Sequence, residues 1–331
     1  MGRKVVTVYF NFQNKGGAQN IALNLAEKLS EKESLPVIFT NTPKELIHSD
    51  YKERANFLPF SVTNIIRFFR DDYAFLSHDR KSTTKLMLVN MLFGSKLKIL
   101  HVSHNVFNSL SSLTLFPKNI ISISTAVTKN LKEYFKISPD RIRYIPNGLP
   151  DLGLHSPRNC QSIKILMAGR ICRVKRQIEI ANAFKKAYLP NISIAFAGIG
   201  EDAPALKNLI KGSDNITYLG EINIAERIGE FDYVLLFSEK EGLPLILIEA
   251  CMSGKPMLTN NLPSVTDINV NNKTGFVYES LDDLIAALQT LPNSTDAQYI
   301  QLSENSRRQY ELFFTEDQMV ESYRQAIDSL Y

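Results

Sequence analysis

Short apolar runs alternate with amphipathic stretches along the whole chain, the rhythm of parallel strands joined by crossover helices. In the first half, runs at 4–10, 36–40, 73–77, 97–103, 119–123 and 142–146 predict strands. Helical periodicity there falls at about 17–32, 81–93 and 125–136. The second half repeats the rhythm, with strands at 163–168, 192–197, 215–219, 233–237, 256–260 and 275–278. Its helices are predicted near 174–188, 203–211, 223–229, 244–253 and 280–290. Between the halves, Leu149–Ser162 carries Pro150, Gly153 and Pro157 without periodicity and reads as a linker. The tail from Thr315 to Tyr331 is a helix pattern striped by Met319, Tyr323, Ala326, Ile327 and Leu330. Two α/β domains are expected, 1–150 and 151–314, with ligands beyond the carboxyl ends of the strands.

Composition narrows the class. A chain of 331 residues fits two domains, and 44% hydrophobic with 22% charged residues is ordinary for a globular protein. No apolar run reaches the ~18–20 residues of a membrane span. The run Val5–Phe10 turns polar too soon for a signal peptide. Met1-Gly2 fails the myristoylation pattern because Val6 stands where Ser or Thr is needed. Cys160, Cys172 and Cys251 are odd in number and lack metal-ligand spacing, so a cytoplasmic protein with reduced thiols is expected. Residues 1–150 hold 21 Lys and Arg against 11 Asp and Glu, whereas the remainder holds 17 against 23. The basic first half suits a polyanion. Without interleaved aromatic and basic residues, nucleic acid is not expected, and peripheral contact with an anionic inner membrane or a lipid diphosphate leads.

The candidate chemistry concentrates at 239–254. The strand run Tyr233–Phe237 enters a polar turn, Pro244 stands where a helix should begin, and Leu245–Met252 is apolar except for Glu249. A helix start offers free, positively polarised N–H groups to phosphate. A lone Glu in an apolar helix is costly unless something satisfies it. With Glu241 eight residues earlier, in the turn, the pattern suits a ligand of phosphates and hydroxyls, a sugar nucleotide. Arg170 follows the run Ile163–Ala168 and Lys175 lies at the next predicted helix start. Two such cations suit a departing diphosphate, with Arg173 and Arg176 as local rivals. No Asp-x-Asp pair follows a strand, and Asp71-Asp72 precedes one, so no metal or other cofactor is expected.

Glu241-Gly-Leu-Pro-Leu-Ile-Leu-Ile-Glu249 resembles the Glu-x7-Glu signature of retaining GT-B glycosyltransferases, specifically glycosyltransferase family 4. Further resemblances follow in the family's order over nearly the whole chain. They are Gly16-Gly17-Ala18-Gln19 with Leu25-Ala26, Ile145-Pro146-Asn147-Gly148, Ala168-Gly169-Arg170 with Lys175, Gly198-Ile-Gly200, and Tyr218-Leu219-Gly220. The family has Gly after this Lys, where Arg176 stands here, a difference expected to alter backbone more than phosphate contact.

The resemblance implies two facing Rossmann-like domains with an interdomain cleft, the C-terminal helix 315–331 crossing back to the first. It implies transfer of a hexose or N-acetylhexosamine from a nucleotide-diphosphate sugar, UDP foremost, to a hydroxyl of a glycan or lipid-linked acceptor. Bacterial surface-polysaccharide or lipopolysaccharide synthesis is the expected setting. Carried over residue by residue, Arg170 and Lys175 would hold the diphosphate, and Glu249 would accept from ribose hydroxyls. Glu241 would contact the transferred sugar, with N–H groups of Gly242, Leu243, Pro244 and Leu245 treated as one donor-binding turn, although Pro244 supplies none. Gly16, Gly17 and Gly200 would admit the donor closely. His104 would face the donor sugar, with His101 and His78 as rivals. A GT-B epimerase or an inactive sugar-nucleotide-binding subunit are the alternatives. The first would want more acid–base groups in the second domain, and none of its residues beyond His155 is His. No Gly-x-Gly-x-x-Gly follows the first strand, against a nicotinamide enzyme.

Overall fold

The computed structural model describes residues 3–30, 34–153, 162–187 and 189–331. The expected helix ends at 31–32 and 188, the linker positions 154–161 with Cys160, and Met1-Gly2 lie outside the described residues. The chain forms two compact units. One runs to Asn147 and resumes with Asp317–Tyr331, and the other is Gly148–Glu316.

In the first unit the strands are β1 (Val5–Val8), β2 (Val37–Thr40), β3 (Asn56–Pro59), β4 (Ala74–Ser77), β5 (Ile99–Ser103), β6 (Asn119–Ser122) and β7 (Ile142–Tyr144). Helices α1 (Gly17–Leu29), α2 (Ser49–Lys52), α3 (Val62–Arg70), α4 (Arg80–Leu92) and α5 (Thr125–Glu133) connect them. Every pairing is parallel, in the order β3-β2-β1-β4-β5-β6-β7. The order reverses between β1 and β4, so the switch point lies at the ends of those two strands. Strands β4 and β5 are buried along their whole length, as strands covered on both faces must be.

The second unit repeats the plan with β8 (Ile163–Ala168), β9 (Ile192–Ala197), β10 (Ile216–Gly220), β11 (Tyr233–Leu236), β12 (Met257–Asn260) and β13 (Gly275–Tyr278), ordered β10-β9-β8-β11-β12-β13. Its helices are α6 (Gln177–Lys186), α7 (Ala203–Ile210), α8 (Ile224–Arg227), α9 (Leu245–Met252), α10 (Pro263–Thr266), α11 (Leu281–Leu288) and α12 (Ala297–Phe313). The last helix, α13 (Glu316–Asp328), packs Met319, Tyr323, Ala326 and Ile327 into the first unit's interior. Arg324 there donates to the Lys28 carbonyl, and the Tyr331 hydroxyl to that of Asp72.

Several expectations need correction. The helix predicted from 174 begins at Gln177, because Arg173–Lys175 forms a 3-10 turn, and Lys175 therefore lies before the helix rather than at its start. The helix predicted at 223–229 divides into α8 and a 3-10 turn at Ile228–Glu230. Segments α2, β3, α3, α10 and α12 were not predicted at all. Among the described residues, no helix is long and apolar enough to cross a membrane.

Candidate functional site

The candidate site of the second unit forms where β8 and β11 end. Gly169 leaves β8 at φ 148, a conformation that L side chains rarely adopt. Gly198 and Gly200, after β9, close tightly on that loop. A Cβ on Gly198 would lie 2.0 Å from the Gly169 carbonyl oxygen, and one on Gly200 would lie 2.1 Å from that of Ile171. The pair Gly198-x-Gly200 is thus required by backbone packing. Buried Gln177 holds the same loop from the other side, donating to the Arg170 carbonyl at 2.9 Å and accepting from Cys172 N–H at 3.3 Å. Sequence reasoning missed Gln177. Its signal is a polar residue on the buried face of a helix's first turn.

Arg176 stands at φ 55, ψ 25. The backbone there lies in the left-handed region that favours glycine. The side chain compensates with a fork onto Glu179 at 2.7 and 2.9 Å and a place over the Phe237 ring. Arg176→Ala keeps the strain and loses these contacts. Arg176→Gly is therefore expected to exceed Arg176→Ala in stability by about 1 kcal/mol, read from denaturant midpoints. An alanine variant at least as stable would refute the strain argument.

The loop after β11 is tied to this one. Glu239 N–H donates to the Val174 carbonyl at 2.8 Å, and Lys175 Nζ meets Glu241 Oε1 at 2.5 Å. The pair is well covered, with side-chain exposures of 22% and 9%. Ser264, on α10, donates to the Glu241 carbonyl at 3.1 Å and is a second contributor that the sequence did not reveal. Pro244 is the N-cap of α9 rather than a residue of its first turn. Gly242, Leu243 and Leu245 line the same turn, where helix-initial N–H groups lack helical carbonyls. One turn into α9, burial pushes the Glu249 carboxyl up to about 7, since charge is disfavoured where water is scarce. Arg170 is exposed on the β8 loop.

The first unit holds Gly16, Gly17 and His104. Gly16 is extended (φ −168) at the N-cap of α1, a conformation open to any residue, and its N–H donates to the Tyr51 hydroxyl. Gly17 opens α1. His104 follows β5, and its Nε2 lies 2.9 Å from Nδ1 of His78, which follows β4 at the switch point. The rings stack with centroids 5.2 Å apart. His101 Nδ1 meets Thr83 Oγ1 at 2.7 Å. All three histidines are buried, which lowers His78 well below the usual range, His101 to about 3 and His104 to about 4. The rivals are therefore neighbours, and His104 acts with His78 as one hydrogen-bonded pair. Among the described residues, no group of three or more His, Cys, Asp or Glu is placed to hold a metal ion.

Residues 156–309 match the family model "Glycosyl transferases group 1". The O-antigen biosynthesis glycosyltransferase WbnH of Escherichia coli is 29% identical over 171 residues, 52% of this chain and 49% of that protein. The match thus spans about half the length of that relative. An uncharacterized glycosyltransferase of Haemophilus influenzae is 23% identical over 341 residues, covering 92% of this chain and 94% of its own. Among solved structures, HepE of Anabaena in complex with UDP superposes with a TM-score of 0.86 at 13% identity, covering 98% of this chain and 100% of that one. The fold is accordingly that of GT-B glycosyltransferases, two parallel-sheet α/β domains.

Proposed function

We propose that the chain is a retaining glycosyltransferase of family 4. It moves a hexose or N-acetylhexosamine from a nucleotide-diphosphate sugar, UDP foremost, to a hydroxyl of a glycan or lipid-linked acceptor. The setting is surface-polysaccharide or lipopolysaccharide synthesis, on the cytoplasmic side of a membrane. The observation that carries this reading is the covered Lys175–Glu241 pair, at the carboxyl ends of β8 and β11, with the half-buried Glu249 one turn into the next helix. The names of WbnH and of HepE with UDP support the polysaccharide setting and the donor class.

The roles follow from charge and placement. Arg170 and Lys175 neutralise the diphosphate as it departs, the step at which charge grows most. Glu241 contacts the transferred sugar while holding Lys175 in place. Helix-initial N–H groups between Gly242 and Leu245 hold sugar and phosphate oxygens. Glu249, ionised when the donor is bound, accepts from ribose hydroxyls. The first unit offers Gly16, Gly17 and the His78–His104 pair for sugar recognition. Because two cations meet the leaving charge, the reaction needs no metal and should persist in a chelator.

A thermal-shift panel with UDP, GDP, ADP and CMP tests the donor class. A nucleotide at a hundred times its dissociation constant adds about 2.7 kcal/mol, and UDP is expected to give the largest rise. Glu249→Ala should abolish most of that rise. Equal, negligible shifts with every nucleotide would remove the reading.

A further inference from the structure

Between Asp79 and Glu133 the chain carries eight Lys and Arg and no Asp or Glu. That stretch contains α4, whose buried face is Ser82, Thr83, Leu86, Val89 and Asn90. Its outward face begins with Lys81 and Lys85 and then turns apolar, with Leu88 53% exposed, Met91 65% and Leu92 82%. Thr84, Leu88, Met91 and Leu92 recur at the spacing of a single helix face. Large apolar side chains so exposed in one place mark an interaction surface.

A second segment joins the patch. Arg80, stacked 3.7 Å over Phe107, donates to the Ser109 carbonyl at 2.9 Å, and Leu115 N–H donates to Thr84 Oγ1 at 3.3 Å. These contacts hold the loop 107–115 against the first turns of α4. The loop presents Leu110 at 58% and Leu113 at 69% exposure. Leu88 and Leu92 lie one and two turns along from Thr84, within about 12 Å. Leucines from helix and loop thus share one surface, flanked by exposed Lys81, Lys85, Lys96 and Lys118.

We propose that this face docks the protein onto an anionic lipid surface, with the leucines and Met91 entering the headgroup boundary and the lysines meeting lipid phosphates. Charge complementarity selects the occupant. A second copy would oppose the same cationic face to itself, and a nucleic acid would gain nothing from exposed leucines. An anionic bilayer satisfies both features, since binding there combines apolar burial with attraction to acidic headgroups. The proposal rests on the lipid-linked-acceptor reading for its purpose and specifies the surface that reading needs.

Co-sedimentation of the full chain with phosphatidylcholine vesicles, with and without phosphatidylglycerol, tests it. Binding should require the anionic lipid and weaken with salt. Lys81→Gln with Lys85→Gln should lower affinity roughly five-fold per lysine and flatten the salt dependence. Leu88→Ser with Leu92→Ser, and separately Leu113→Ser, should lower affinity by about ten-fold or more at unchanged salt dependence. All variants should keep the wild-type thermal shift with UDP, which separates this outcome from failure of the donor reading. Binding undiminished in the leucine variants would overturn the proposal. So would a dimer, dispersed by those substitutions, that ignores vesicles.

Discussion

Lys175→Ala is expected to cut turnover by about 10²–10³ while changing the apparent donor Michaelis constant much less. The asymmetry arises because the ammonium meets a charge that is larger in the transition state than in the bound donor. The structure adds a second consequence. Lys175 Nζ is the partner of Glu241 Oε1, whose side chain is only 9% exposed. Removing the cation leaves a covered carboxylate uncompensated, so the variant should also lose about 1–3 kcal/mol of stability. Lys175→Ala combined with Glu241→Gln should recover stability without recovering turnover. That separates the structural from the chemical role, and a double-mutant cycle measures the coupling. Glu241→Ala alone should depress turnover more than nucleotide affinity. At Arg170, lysine should be a poor substitute, because an ammonium cannot fork across two phosphate oxygens. Near-normal turnover in folded Lys175→Ala and Arg170→Lys proteins would remove both cations from the mechanism.

Much of this site was legible before any coordinates, because its elements announce themselves locally. Strand Tyr233–Leu236 is buried throughout and reads as an unbroken apolar run, and Ile163–Ala168 does so but for exposed Lys164 at its start. The Glu241–Glu249 spacing spans one turn and one helix start, so sequence distance fixes their placement. What escaped depends on packing across distant segments. Helix α12 buries Tyr299, Leu302, Ser303, Ser306 and Tyr310. Its Ser303 and Ser306 hydroxyls donate to the carbonyls of Gly254 and Lys255. Serines on a buried face hide the helical period from a hydrophobicity count. The edge strand β3 is partly exposed throughout and ends on Pro59, so neither alternation nor length marks it. The His78–His104 hydrogen bond joins residues 26 apart, through the adjacency of β4 and β5. Nothing local in either motif signals it.

Acidification should loosen the first unit while tightening the second. In the first, burial holds His104 at about 4 against an ordinary 6.5, His101 at about 3, and His78 well below its usual value. Above pH 6.5 each ring is neutral in both folded and unfolded chains and contributes nothing. As pH falls below 6.5, the unfolded chain takes protons that the fold refuses, and stability drops by roughly 1.4 kcal/mol per pH unit per ring. For His104 the total by pH 4 is about 3 kcal/mol, with His78 and His104 titrating as a coupled pair. In the second unit Glu249 is raised to about 7 from an ordinary 4.5. Its contribution is complete below 4.5 and is lost as pH rises through 7, about 3 kcal/mol with the opposite sign. Hydrogen exchange, corrected for intrinsic rates, can follow both at once. On acidification, protection should fall at Val102 in β5 and rise at Ile248 in α9. Glu249→Gln should stabilise the protein by about 2–3 kcal/mol above pH 7 and abolish the rise at Ile248. It should also weaken nucleotide binding, because an ionised carboxylate accepts ribose hydroxyls better than an amide does. Donor affinity in the wild type should accordingly climb as pH passes through about 7. Protection that changes in the same direction at both amides, with Glu249→Gln indistinguishable from wild type, would show that neither the histidines nor Glu249 carry the linkage.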